Sequence, residues 1–140
     1  MDLYNESKYY VFFADINLIK KDGSVVVKKA KLDRFPTSRH WNHPTMVVKK
    51  SVYEELGVYR CEGIHDDFDF FLRSRKAHKK IVVKNIVLAN FSMGGASNEK
   101  SLSKCKKRCI DRYRCYRNNG YSRLYLIECL MIETIKFMFS

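Results

Sequence analysis

The chain lacks the cysteine spacing of a disulfide framework or a zinc site. Its five cysteines, Cys61, Cys105, Cys109, Cys115 and Cys129, are odd in number and form no paired CxxC motif, so free thiols in a reducing cytoplasm are expected. Cys105 and Cys109 stand four residues apart on a predicted helix, but without nearby histidine ligands burial accounts for them better than a metal. No basic stretch followed by an apolar core opens the chain, so no secretory signal is expected. Internal repeats and low-complexity tracts are absent. Acidic residues are scarce: 15 Asp and Glu against 27 Lys and Arg give a net charge of +12. The excess is uneven, with nine basic residues and one acid, Asp111, between positions 100 and 123. Such a patch suits nucleic acid, anionic lipid head groups or phosphate-bearing substrates, and composition does not separate the three. An uninterrupted membrane-spanning run is missing too. Residues 124–139 are largely apolar, but Arg123, Glu128, Glu133 and Lys136 border or break the stretch, and a charge at a bilayer centre costs a few kcal/mol. Ordinary packing or peripheral contact with a membrane surface are the readings left for that segment.

What is present is enough for one core. The 140 residues are 46% hydrophobic and 14% aromatic, which supports a packed globule over disorder. Aromatic and β-branched residues from Tyr9 to Ile19, a turn at Lys20-Lys21-Asp22-Gly23-Ser24 and the run Val25-Val26-Val27 predict a β-hairpin. Its first strand carries one acid, Asp15. Residues 32–42 are irregular and predict a loop, after which Thr45-Met46-Val47-Val48 predicts a short buried strand. Ser51 with Glu54 forms a capping box for a helix that Gly57 can end. Residues 80–91 are expected to be extended and to give way to a polar loop at Met93-Gly94-Gly95-Ala96-Ser97. From about position 99 the pattern is helical, divided by Asn118-Asn119-Gly120 into a basic helix and an apolar one. The fold class that follows is α/β, a mixed sheet with flanking helices, followed by a helical C-terminal extension.

The segment Ile64-His65-Asp66-Asp67-Phe68-Asp69-Phe70-Phe71-Leu72-Arg73 places three carboxylates in the opening turns of an amphipathic helix. At about 100° per residue, Ile64, Phe68, Phe71 and Leu72 share one face while Asp66, Asp69 and Arg73 lie opposite. Asp66 and Asp69 suit the positive end of a helix, and Asp69 can pair with Arg73 one turn on. Asp67 falls at the border of the apolar face. A carboxylate there is partly desolvated, which raises its affinity for a proton, the property a general base needs. A structural acid at a helix start is the plainer reading of the same residue.

In order along the chain stand Tyr10-Val11-Phe12-Phe13-Ala14-Asp15, the turn at Asp22-Gly23, and Trp41-Asn42-His43-Pro44-Thr45 with Tyr53-Glu54-Glu55-Leu56-Gly57. They are followed by Asp66-Asp67-Phe68-Asp69-Phe70-Phe71-Leu72-Arg73 and then by residues 91–97 with their paired glycines. The ordered set, over about residues 9–97, resembles the downstream half of bacterial family 2 glycosyltransferases, inverting enzymes with a GT-A fold that binds a nucleotide-sugar. The resemblance implies a partial GT-A catalytic domain over residues 1–98 and a basic, amphipathic helical extension over 99–140. It implies transfer of a sugar from a nucleotide-sugar donor to a hydroxyl acceptor in cell-surface polysaccharide or glycolipid synthesis. Asp67 takes the position of the catalytic base, and Asp66 is its partner in the acidic pair. His43 is expected to touch acceptor or diphosphate, or else to tie down its own loop. Trp41 offers a sugar a stacking face or packs inside. Gly94 and Gly95 form a close-approach loop beside the substrate or a simple chain reversal.

The pattern also departs from that family. Its members begin with a nucleotide-binding βαβ half and an Asp-x-Asp motif that holds Mg or Mn on the diphosphate. Neither is found before Tyr9, and Asp15-Ile16-Asn17 imitates the motif only superficially. A divalent cation is therefore expected for the complete family enzyme but not from residues of this chain. The expectation is a C-terminal fragment, a degraded product or one part of a split enzyme, a poor catalyst or inactive alone, completed by a missing N-terminal half or by a homo-oligomer. The basic helix and the apolar helix would meet an anionic membrane surface on its cytoplasmic face and bring in a lipid-linked acceptor. The runner-up is a nucleic-acid-binding protein using Lys104, Lys106, Lys107, Arg108, Arg112, Arg114 and Arg117 with Tyr113 and Tyr116. It leaves the acidic helix unexplained. A third reading is a non-enzymatic remnant that binds a partner through an open sheet edge.

Overall fold

The strand β1 (Val11–Ile19) organises the molecule because its first six residues, Val11 to Ile16, are buried on both faces, as in strands sandwiched between other layers. The computed structural model describes residues 10–60, 62–93 and 101–139. Three further strands pair with β1 to make a mixed sheet: β2 (Val25–Lys28) antiparallel at its end, β3 (Val47–Val48) antiparallel at its start, and β4 (Ile81–Ser92) parallel along its whole length. The turn between β1 and β2 closes as the sequence predicts. Gly23 takes φ +81°, a conformation open to glycine, and Asp22 accepts bonds from the Ser24 amide and hydroxyl.

Neither β2 nor β3 pairs with Ala14, and side chains fill the gap. The Ala14 N–H donates to Thr45 Oγ1 at 2.9 Å, and its carbonyl accepts from the Asn42 amide at 2.9 Å and the Thr45 hydroxyl at 3.0 Å. Both side chains are buried, so they replace ladder bonds that would otherwise be missing in a dry interior. Opposite β1, β4 bulges between the partners of Ala14 and Asp15, which face Lys84 and Val87. The bulge brings the Asn85 amide to Asp15 and to the Ala30 carbonyl.

Among the described residues there are four α-helices, α1 (Lys50–Leu56) and α2 (Asp66–Lys76) between β3 and β4, and α3 (Leu102–Asn118) and α4 (Tyr125–Phe139) after β4. One apolar core joins sheet and helices. Phe13 meets Phe71 edge-on at 5.9 Å, Trp41 stacks on Phe71 at 5.2 Å, and Tyr116 stacks on Tyr125 at 4.2 Å. The same cluster includes Phe68, Leu72, Cys109, Cys115 and Cys129, so residues on both sides of position 99 share it. Cys109, Cys115 and Cys129 are buried and Cys105 is partly so, all as free thiols.

Local expectations failed at three places. The buried strand predicted from Thr45 is confined to Val47–Val48, where Val47 is exposed, and His43–Thr45 is a 3-10 turn, because Thr45 is spent on Ala14 rather than on a ladder. The capping box is not formed. Helix α1 starts at Lys50 with Lys49 at its cap position and no side-chain cap bond. The Lys49 N–H is held by the Tyr10 carbonyl while its own carbonyl accepts from Val52, so strand pairing fixes the helix start and Ser51 falls inside. The last helix, expected from Tyr121 directly after the Asn118-Asn119-Gly120 break, begins at Tyr125, after a turn through Ser122. Gly57 ends α1 at φ +79°, as predicted, and α2 runs to Lys76 with Ala77 as its C-cap, against an expected end near Ala77 or His78.

Candidate active site

Asp67 stands in the first turn of α2, and the burial of Phe68, Phe71 and Leu72 against Phe13 and Trp41 fixes its direction. Its side chain is 29% exposed, and His43 Nδ1 lies 3.8 Å from Oδ2. Oδ1 accepts the Phe68 N–H at 2.7 Å. Burial raises the proton affinity of this carboxyl above the ordinary range; His43 and the Phe68 N–H pull the other way without cancelling the rise. The half-shielded position read from helical periodicity is thus the position the fold gives it.

His43 reaches this point from a different element. Pro44 opens the 3-10 turn, and Asn42 and Thr45 on either side are bonded to Ala14. The turn is therefore bolted to the middle of β1, and the half-exposed imidazole is held above the sheet. Phe91 of β4 meets the ring edge-on at 6.2 Å and Trp41 tilts against it at 5.8 Å. Asp67, His43 and Phe91 thus converge from α2, the 3-10 turn and β4. An exposed imidazole within reach of a carboxylate can donate to a phosphate or pass a proton with it, and Phe91 gives the pair an apolar wall.

The other predicted site residues are disposed differently. Trp41 is 7% exposed, its ring covered by Phe71, Phe68 and His43. The reading of Trp41 as a sugar-stacking platform is corrected: it is a core residue that supports the His43 turn. Asp66 accepts the Glu62 N–H at 3.1 Å and lines a narrow crevice with Gly63, His65, Asp69, Asp111 and Cys115. It points away from His43, since adjacent helical residues diverge by about 100°. Gly94 and Gly95 lie outside the described residues.

Asp69 overturns a second expectation. Read as a solvated acid, it is 3% exposed. Arg60 Nη1 lies 3.2 Å from Oδ1, the Asn119 amide donates to the same oxygen at 2.7 Å, and Arg73 Nε pairs with Oδ2 at 3.4 Å. The Arg73 pairing one turn on is as predicted. Burial comes from the segment before α2 and the end of α3, which cover a flank that helical periodicity alone assigns to water.

Asp15 is also buried. Its Oδ1 accepts the Ala30 N–H at 2.7 Å and the Asn85 amide at 3.1 Å, while Lys29 Nζ lies 3.1 Å from Oδ2. Burial by itself would raise its proton affinity, but these donors outweigh that and hold the carboxyl below the ordinary range. An acid whose oxygens face an ammonium and two N–H donors does not fit a divalent cation. Among the described residues no group of three His, Cys, Asp or Glu is arranged to hold a metal.

No family model, curated protein or solved structure matches the chain.

The basic helix is divided in its roles. Arg108 and Arg112 are buried, with Arg108 Nε donating to Glu133 Oε2 at 2.8 Å and Arg112 Nη2 lying 3.5 Å from Oε1. The seven-residue cationic surface drawn for a nucleic-acid reading therefore loses two members to the interior, and Tyr116 is buried with them. Asn42, Thr45 and Asp69, which build the site's frame, were not singled out as functional from sequence. The only local signal was the crowding of polar residues among Trp41, Pro44 and the apolar run that follows.

Proposed function

We propose that this chain is part of an inverting glycosyltransferase related to family 2, with Asp67 as its general base. One observation carries the reading: a carboxylate of raised proton affinity at the start of α2, with His43 facing it at 3.8 Å. In the reaction the acceptor hydroxyl loses its proton to an Asp67 oxygen as its own oxygen bonds to the anomeric carbon. The bond from that carbon to the nucleotide diphosphate breaks on the opposite side, the diphosphate leaves with the electron pair, and the sugar's configuration inverts. His43 is suited to bonding the acceptor or the departing diphosphate. Burial tunes the base: a carboxyl that holds its proton more tightly than a solvated one is a stronger base when ionised.

The test is transfer from a panel of UDP-, GDP- and dTDP-sugars to hydroxyl acceptors by the chain supplied with a nucleotide-binding half. Asp67→Asn should lower turnover by about 10²–10⁴-fold, the usual worth of a positioned base, with nucleotide binding unchanged. Turnover within a few-fold of wild type rejects the assignment, because an amide does not take up the proton.

A further inference from the structure

Helix α4 is built inside out. Leu124, just before it, and Ile127, Leu130, Met131, Ile135 and Met138 are each more than half exposed, and Leu126 and Phe137 widen the strip on one side. At 100° per residue these positions sweep about half the circumference. Thr134 is the one polar side chain within that arc. The charged residues of α4 point inward instead: Glu133 onto Arg108 and Arg112, Lys136 toward Glu133, and Glu128 onto the Tyr116 hydroxyl at 3.2 Å. A helix that buries its ions and shows water its leucines is covered by something apolar, since lone soluble chains rarely expose so wide a patch.

We propose that the outward face of α4 docks on an anionic lipid surface, lying in the plane of the membrane. Charge favours lipid over a second copy of the chain. From 101 to 139 there are nine Lys and Arg and three Asp and Glu, and the three acids are buried or half-buried. Lys106, Lys107, Arg114, Arg117 and Arg123 are exposed. Two copies at +12 each repel, whereas anionic head groups attract the same residues. Width favours lipid too. A two-helix seam covers a narrow strip and uses flanking charges to set its partner, but this strip is broad and uncharged, as suits immersion at the head-group boundary. Among the described residues no helix is long and apolar enough to cross a membrane. The proposal rests on the polarity of α4 and is independent of the transfer reading.

The experiment is flotation of the whole chain with vesicles of equal parts phosphatidylglycerol and phosphatidylcholine, and with phosphatidylcholine alone. The wild-type chain should float with the anionic vesicles and bind the neutral ones far more weakly. Ile127→Glu combined with Met131→Glu should lower the anionic partition about a hundredfold or more. Both side chains are 58% exposed, so the fold survives, and circular dichroism checks this. In a separate variant, Met131→Trp should give a blue-shifted emission on anionic vesicles; Trp41, the sole native indole, is already buried. Equal flotation of the double variant, or an unshifted indole on a bound chain, overturns the proposal in favour of adsorption by charge alone. A wild-type dimer that the double substitution dissociates, with no flotation, overturns it in favour of self-association.

Discussion

Removing the carboxylate of Glu133 should be among the most damaging single changes to this fold. Glu133 sits between α3 and α4 with Arg108 Nε at 2.8 Å and Arg112 Nη2 at 3.5 Å, and all three residues are 5% exposed or less. Unit charges near 4 Å apart attract by roughly 4 kcal/mol at an effective dielectric of about 20. Desolvation of three ions and the mutual repulsion of two guanidiniums offset much of that gain, so the trio contributes little net stability when intact. Glu133→Ala removes the attraction and leaves both repulsion and desolvation, for a loss of about 3–5 kcal/mol. In a domain of this size each kcal/mol lowers the melting temperature by about 2–4 °C, so a fall of about 10 °C is expected by calorimetry, with a matching shift in the urea midpoint. Replacing the trio together, Arg108→Met with Arg112→Leu and Glu133→Met, should return stability to within about 1 kcal/mol of wild type. A loss below about 1 kcal/mol for Glu133→Ala, or a triple variant weaker than the single one, would refute the reasoning.

Two further perturbations follow from the frame of the candidate site. Burial, followed by Arg112 and Lys136, pushes the His65 imidazole down to about 3 from 6.5. A histidine that folding keeps neutral takes up its proton on unfolding, so stability is lost as the pH falls from 6.5 towards 3, by up to about 1.4 kcal/mol per pH unit. Urea midpoints between pH 7 and 4 should show a steep fall that His65→Gln flattens; parallel curves would show that other groups cause the acid lability. Thr45→Val should cost about 1–3 kcal/mol, because the Ala14 N–H is left dry and without an acceptor. Thr45→Ser should recover most of that in chemical denaturation, and an equal loss in both variants would assign the effect to packing rather than to the bond.

Much of the architecture was legible along the chain. The hairpin followed from β-branched runs around Asp22-Gly23, α2 from its apolar spacing, and the division of the last two helices from Asn118-Asn119-Gly120. The border position of Asp67 was legible for the same reason, since helical period and neighbouring apolar residues together set how far a side chain leaves water. Asp69 and Asp15 were not, because each is buried by segments far away in sequence: Arg60 and Asn119 for one, Ala30 and Asn85 for the other. The roles of Asn42 and Thr45 were hidden similarly, since the need they meet is a gap in the pairing of β1.

By itself the sequence determined most of the segments that became strands and helices, the excess of positive charge and the partial shielding of Asp67, all consequences of local period and composition. Only the tertiary structure decided that His43 faces Asp67, that Trp41 serves the core, and that α4 turns its charges inward and its leucines out. Those outcomes depend on which distant groups can satisfy a buried ion or an unpaired amide, and that is settled when the elements pack.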